Sequence, residues 1–235
     1  MAEAHQHHKI TRRELREPDE FQAFTSQIMD WVRQNQSAVV GVVSAAVAIA
    51  AAVVGVGWYS QRQADAAGVR LQSAQALFDA KNYASAAADF ADVASTYPRT
   101  PSGRIALLYR AHALAQQPDP AAAATSYSEY LASTPEAEYL RQEALLGLAR
   151  ASEATGNTAA ATTAYRDAAD LAGPFRTPAQ LALARLEDAA GHTEQARTLY
   201  TEALKAPDID ADTRQMILSK LPPGTQPADA APSAQ

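Results

Sequence analysis

A long uncharged apolar block limits the folds open to this chain. "SAVVGVVSAAVAIAAAVVGVGWY" runs from Ser37 to Tyr59, and no charged residue occurs between Arg33 and Arg62. From Ala38 to Tyr59 the block is 22 residues long, and a helix needs about 20 to cover a hydrocarbon core of roughly 30 Å. A buried soluble helix is usually shorter and keeps a polar stripe. Here Ser44 is the only polar residue before the Trp58-Tyr59 pair. Trp31 precedes the block and Trp58 with Tyr59 closes it, which places amphipathic rings at headgroup level. A cleaved signal peptide has a shorter apolar core, about 7–15 residues, nearer the N-terminus. The block therefore reads as an uncleaved single span over residues 37–60.

The span divides a short side from a long side. Five Lys/Arg (Lys9, Arg12, Arg13, Arg16, Arg33) fall in the first 33 residues, and four (Arg62, Arg70, Lys81, Arg99) fall between 60 and 103. That small excess favours a short side facing inward. The chain has no cysteine, which suits a periplasmic domain and a cytoplasmic one equally. Beyond residue 61 there are 15 Lys/Arg against 20 Asp/Glu, a net charge of −5. General nucleic-acid binding needs a basic footprint, so that partner class is excluded. The long side is also rich in alanine, the best helix former, and reads as nearly all helix. The organisation is then a flexible head (1–17), an amphipathic juxtamembrane helix (18–36), the span (37–60), a helical domain (61–221) and a disordered tail (222–235).

Within the helical domain four segments share one pattern. They are "KNYASAAADFADVASTYP" (Lys81 to Pro98), "PDPAAAATSYSEYLASTP" (Pro118 to Pro135), "GNTAAATTAYRDAADLAGP" (Gly156 to Pro174) and "GHTEQARTLYTEALKAP" (Gly191 to Pro207). Each opens on a turn and places a small residue four before an aromatic: Ala86/Phe90, Ala123/Tyr127, Ala161/Tyr165 and Ala196/Tyr200. The aromatics recur at spacings of 37, 38 and 35 residues. This resembles the tetratricopeptide repeat, a helix–turn–helix unit of about 34 residues. The likeness covers roughly residues 67 to 208. The turn glycines Gly156 and Gly191, the small and aromatic residues, and the closing Pro98 and Pro135 fit the family positions. The first-helix Trp and Tyr of the motif are missing and the spacings are long, so the repeats are degenerate. The fold class is accordingly all-α: one transmembrane helix followed by an α-solenoid of about four such hairpins.

Local signals agree with hairpins. Gly156 and Gly191 follow helical runs, as a C′ glycine does. Asn82 and Thr193 are candidate N-caps, and Pro98, Pro135, Pro174 and Pro207 stop the second helices.

The family resemblance implies a concave groove lined by first helices. Aligning the repeats puts Gln75, His112, Arg150 and Arg185 at one equivalent groove position, where two arginines and a histidine suit acidic peptide groups. The alternative is that Arg150 and Arg185 pair with the nearby Glu143, Glu153 and Asp188.

On the short side, Phe21, Phe24, Ile28, Trp31 and Val32 recur at helical spacing after Pro18 and two acidic residues, a good helix start. Their face suits the membrane interface or a partner subunit. In the span, Gly41, Ala45, Ala48, Ala52 and Gly55 form a small-residue stripe of the kind that lets membrane helices approach. No leucine occurs between Leu15 and Leu71, which a lone lipid anchor does not require and a helix-packing one suits.

No catalytic, metal or cofactor motif is present. "HQHH" (His5 to His8) lies in a terminus, His112 and His192 have no partner motif, and His192 reads as a solvated turn residue. The carboxylates read as solvated helix faces. Gly-rich phosphate loops, Gly-x-Ser-x-Gly and His-Glu-x-x-His are all lacking. The chain reads as a non-enzyme without cofactors.

The layout of head, span and degenerate repeats is similar to the YfgM-like family of bacterial inner-membrane proteins, ancillary partners of the Sec translocon. That resemblance implies a cytoplasmic N-terminus, a periplasmic repeat domain, and a scaffold or chaperone-like adaptor. Its partners would be an integral-membrane protein complex, membrane lipid, and periplasmic client or subunit proteins. A constitutive structural subunit of a respiratory or photosynthetic assembly is the alternative.

Overall fold

The computed structural model describes residues 20–133, 137–207 and 209–222, with side chains described from Phe24 onward. Among the described residues all regular structure is helical, in ten helices. The chain divides into two compact units between Tyr59 and Ser60.

The first unit holds α1 (Glu20–Gln34) and the start of α2 (Gln36–Asp79). Only Asn35 separates them, and the ladder continues through it: Asn35 N–H donates to the Trp31 carbonyl and Val39 N–H to that of Asn35, both at 3.0 Å. Helix α2 is 44 residues long, and it is the one described helix long and apolar enough to cross a membrane. None of its apolar window is buried against the rest of the chain. Val42, Val47, Val54 and Val56 stand exposed around the helix, so the block is not packed into a core of this chain. The helix also continues past residue 60 without a break. No proline or helix-ending glycine interrupts it before Asp79, and alanine-rich sequence carries it on.

The second unit is built from the last turns of α2 and from α3 (Tyr83–Thr96), α4 (Pro101–Ala115), α5 (Pro120–Ala132), α6 (Glu138–Ala154), α7 (Thr158–Asp170), α8 (Arg176–Ala189), α9 (Thr193–Ala203) and α10 (Ala211–Lys220). From α3 onward each helix packs on the next in sequence, the nearest-neighbour pattern of a solenoid. The repeated small/aromatic pairs form its spine. Ala86, Ala123 and Ala161 are fully buried with Phe90, and Tyr127, Tyr165, Ala196 and Tyr200 are nearly so. An alanine at the crossing lets helix axes approach, and the ring four residues on fills the gap towards the neighbouring hairpin. Apolar clusters follow the same progression, from Ala74, Phe90 and Val93 through Leu108 and Tyr130 and Leu146, Tyr165 and Leu183 to Tyr200 and Ile217. Helix α10 supplies the fully buried Ile217 and closes the last hairpin, as a terminal cap must.

Three of the four hairpin turns follow one chemistry. Gly156 (φ +78°) and Gly191 (φ +83°) are left-handed, as the sequence predicts, and so is Lys81 (φ +61°). Each closes its helix by the same pair of bonds. Asn157 N–H reaches Ser152 O, His192 N–H reaches Glu187 O and Asn82 N–H reaches Leu77 O, all at 2.9 Å. Asn82 then caps α3 by accepting from Ser85 N–H, and Asn157 caps α7 by accepting from Ala160 N–H. The expectation for Thr193 is corrected: it is the first residue of α9, and His192 occupies the N-cap without a side-chain cap bond. The α4–α5 turn uses Asp119, which accepts from Ala122 N–H at 3.0 Å, ahead of Pro120 in the first turn.

The second helices end before Pro98, Pro174 and Pro207; Pro135 lies outside the described residues. One cross-link escapes the sequence pattern altogether. The fully buried Gln142 of α6 donates to the carbonyls of Ala168 and Leu171 at 3.0 Å and accepts from Phe175 N–H at 3.1 Å. It ties α6 to the connection between α7 and α8.

Candidate functional site

Gln75, His112, Arg150 and Arg185 occupy α2, α4, α6 and α8, the first helices of the four hairpins. The structure brings two of them together. His112 and Arg150 line a cavity of about 640 Å³ whose walls include Tyr127, Glu143, Leu146 and Gly147. Gln75 and Arg185 are not among its lining residues.

Arg185 is engaged. Its Nη2 lies 2.6 and 2.7 Å from the two carboxylate oxygens of Glu153, and this hydrogen bonding raises the guanidinium pKa further. Glu153 also accepts from the Tyr165 hydroxyl at 3.1 Å. Burial, and after it that bond, pushes the phenol up to about 12. Of the pairings that compete with a free groove, Arg185 with Glu153 is therefore made. Arg150 forms no ion pair within 4 Å among the described residues.

His112 sits in an aromatic row. Phe90 stacks on Tyr109 at 5.4 Å, Tyr109 meets His112 edge-on at 6.0 Å, and His112 tilts against Tyr127 at 5.7 Å. Burial lowers the His112 pKa to about 4, so the imidazole is neutral at neutral pH. Its Nε2 lies 3.6 Å from Glu143 Oε1. At that distance, and without the imidazolium, the contact is neither a hydrogen bond nor an ion pair. Burial raises the pKa of Glu143. Burial likewise raises that of Tyr127, helped by the Glu143 charge and opposed by Arg150.

Gly147 explains how Tyr127 fits this wall: a Cβ there would come 2.3 Å from Tyr127 Cζ. A glycine inside an otherwise helical run is the sequence signal that was available for this contact. For Gln142 no local signal exists.

Two expectations about polar groups are corrected. His192 is not merely solvated, because its Nδ1 lies 2.6 Å from Glu187 Oε2. Glu187 is not on a solvated face. It is buried and also receives Arg166 at 3.3 Å, since a buried carboxylate requires partners.

In the first unit, Phe24, Ile28 and Trp31 are exposed on α1, and the Phe21 side chain lies outside the described residues. Gly41, Ala45, Ala48, Ala52 and Gly55 are all exposed, and open space lies over both glycines. The histidines of "HQHH" lie outside the described residues, and among those described no group of three His, Cys, Asp or Glu could hold a metal ion.

A family model described as a tetratricopeptide repeat-like domain matches residues 29–223. A search of curated proteins returned no match.

Proposed function

The chain belongs to the tetratricopeptide repeat-like domain family, and on that premise we propose that it is a membrane-anchored, non-catalytic scaffold that holds partner proteins at an inner-membrane complex. Domains of this family are protein–protein interaction scaffolds. The observation that carries the membrane part is α2, whose apolar window is long enough to span and has none of its surface buried against the chain. Such a surface needs lipid or protein around it. In this reading residues 37–60 cross the inner membrane, the N-terminus is cytoplasmic and 61–221 work in the periplasm. The charge asymmetry and the likeness to YfgM-like translocon partners support that orientation. Phe24, Ile28 and Trp31, with Phe21, then lie at the interface or on a partner, and the groove around His112 and Arg150 receives protein segments.

The stripe from Gly41 to Gly55 favours a second version. Its open glycines suit a tightly packed partner helix, as in a constitutive structural subunit of a large membrane assembly. Pulldown of the full-length protein from native membranes in nanodiscs, with stoichiometry by mass spectrometry, separates the two. Translocon components with many substoichiometric periplasmic proteins support the adaptor. One salt-resistant complex at fixed ratio makes the chain a structural subunit, and no protein partner above background contradicts both.

A further inference from the structure

The cavity described above carries two opposite charges on one helix. Glu143 and Arg150 both line it. They are seven residues apart on α6, which is nearly two full turns and about 10 Å of rise, so they share a face. Between them the wall is apolar, formed by the buried Leu146 and by Gly147 backed by the Tyr127 ring. Among the described residues neither charge has an oppositely charged side chain within hydrogen-bond distance. Arg150 has no ion-pair partner among the described residues, and the one basic group near Glu143 is the His112 imidazole at 3.6 Å. Arg185, which the repeat register places as the next groove cation, is already held by Glu153. The cleft therefore offers one cation and one anion whose Cα atoms lie about 10 Å apart along α6, and no cluster of positive charge.

We infer that this cleft receives an extended segment of a partner protein carrying one acidic and one basic side chain three residues apart, the acid on Arg150 and the base on Glu143. The inference rests on the scaffold reading above and names the chemistry of its partner. A polyproline-II-like segment returns side chains to the same side every three residues, about 9 Å, close to the roughly 10 Å of rise between the two Cα positions on α6. A β-strand returns them after two or four, about 7 or 13 Å. The residues between the two charges lie along the apolar wall. Because the charges differ in sign, the cleft also fixes the direction in which the segment runs.

The test uses full-length protein in nanodiscs and fluorescein-labelled twelve-residue peptides of Ala and Pro with one Lys and one Glu three residues apart. Both charge orders and an uncharged version are titrated by fluorescence anisotropy. One order should bind about tenfold more tightly than the other two peptides, the scale of one charge-assisted pair. Exchanging the charges with Glu143→Arg and Arg150→Glu should reverse the preferred order. Arg150→Gln alone, an exposed and helix-neutral change, should abolish the preference while circular dichroism stays unchanged. Peptides that all bind within about twofold of one another, or a preference that survives the exchange, overturn the inference. So does equal competition by free 6-aminohexanoic acid, which would make the cleft a small-molecule site. Partner capture is scored on the same preparations. Capture without a peptide preference removes this inference and leaves the scaffold reading, and a peptide preference without capture does the opposite.

Discussion

Tyr127 on α5 packs against Gly147 on α6 so closely that a Cβ on the glycine would lie 2.3 Å from Cζ and 2.5 Å from Cε1 of the ring. This contact seats the second hairpin's repeat-register aromatic against the third hairpin and shapes one wall of the groove. Gly147→Ala should therefore destabilise the repeat domain by about 1–3 kcal/mol through overpacking. The change runs against alanine's helix-propensity advantage of about 1 kcal/mol, so a net stabilisation in thermal melting would mean that the ring is not held there.

Gln142 is a second fastener, with three hydrogen bonds from a fully buried side chain to backbone around the α7–α8 connection. Gln142→Leu keeps the volume and deletes all three. Leaving buried backbone groups unpaired costs about 2–3 kcal/mol, measurable by urea unfolding. Hydrogen exchange should rise at Phe175 N–H, the donor that loses its acceptor.

Lys81 is the left-handed residue of the first hairpin turn, at the position where the third and fourth hairpins use Gly156 and Gly191. A side chain in that conformation costs about 1 kcal/mol. Lys81→Gly should thus stabilise by up to about 1 kcal/mol and raise Tm, while Gly156→Ala and Gly191→Ala should each lower it.

These positions also show where the sequence is readable. The alanine/aromatic pairs were legible because each hairpin needs the same close crossing and the same ring, so the requirement repeats in register. Gly156 and Gly191 were legible because glycine is the residue that enters the left-handed region without strain. Lys81 was not, since nothing in its side chain advertises that conformation. Gln142 was illegible because its partners lie 26 to 33 residues away and are backbone atoms, which carry no residue identity. Alignment put Gln75, His112, Arg150 and Arg185 at one register position, and all four fall on first helices, but only His112 and Arg150 line the cavity. Which cation stays free depends on Glu153 reaching Arg185 from the preceding hairpin, a contact that only the packing determines. The passage of α2 through residue 60 was hidden because the sequence changes from apolar to polar there while remaining strongly helix-forming.

His112 gives the groove a pH signature. Its folded pKa, about 4, lies below the ordinary histidine value of 6.5. Between those values the unfolded chain binds a proton that the native state does not. The histidine's contribution is complete above pH 6.5 and is lost as pH falls towards 4, by at most about 3 kcal/mol. Glu143 has a raised pKa and acts with the opposite sign, being favoured by acid. Comparing wild type with His112→Phe isolates the histidine: the variant should lose less stability between pH 7 and pH 4.5 in urea titrations.

If the repeat scaffold works from a single membrane tether, alkaline carbonate extraction of native membranes combined with protease protection will reveal it. The protein should remain in the membrane pellet, and in sealed inner-membrane vesicles or spheroplasts residues 61–221 should be cut only from the periplasmic side. Release of the intact chain into the carbonate supernatant, or digestion of the repeat domain from the cytoplasmic side, would rule out a periplasmic scaffold on a membrane tether.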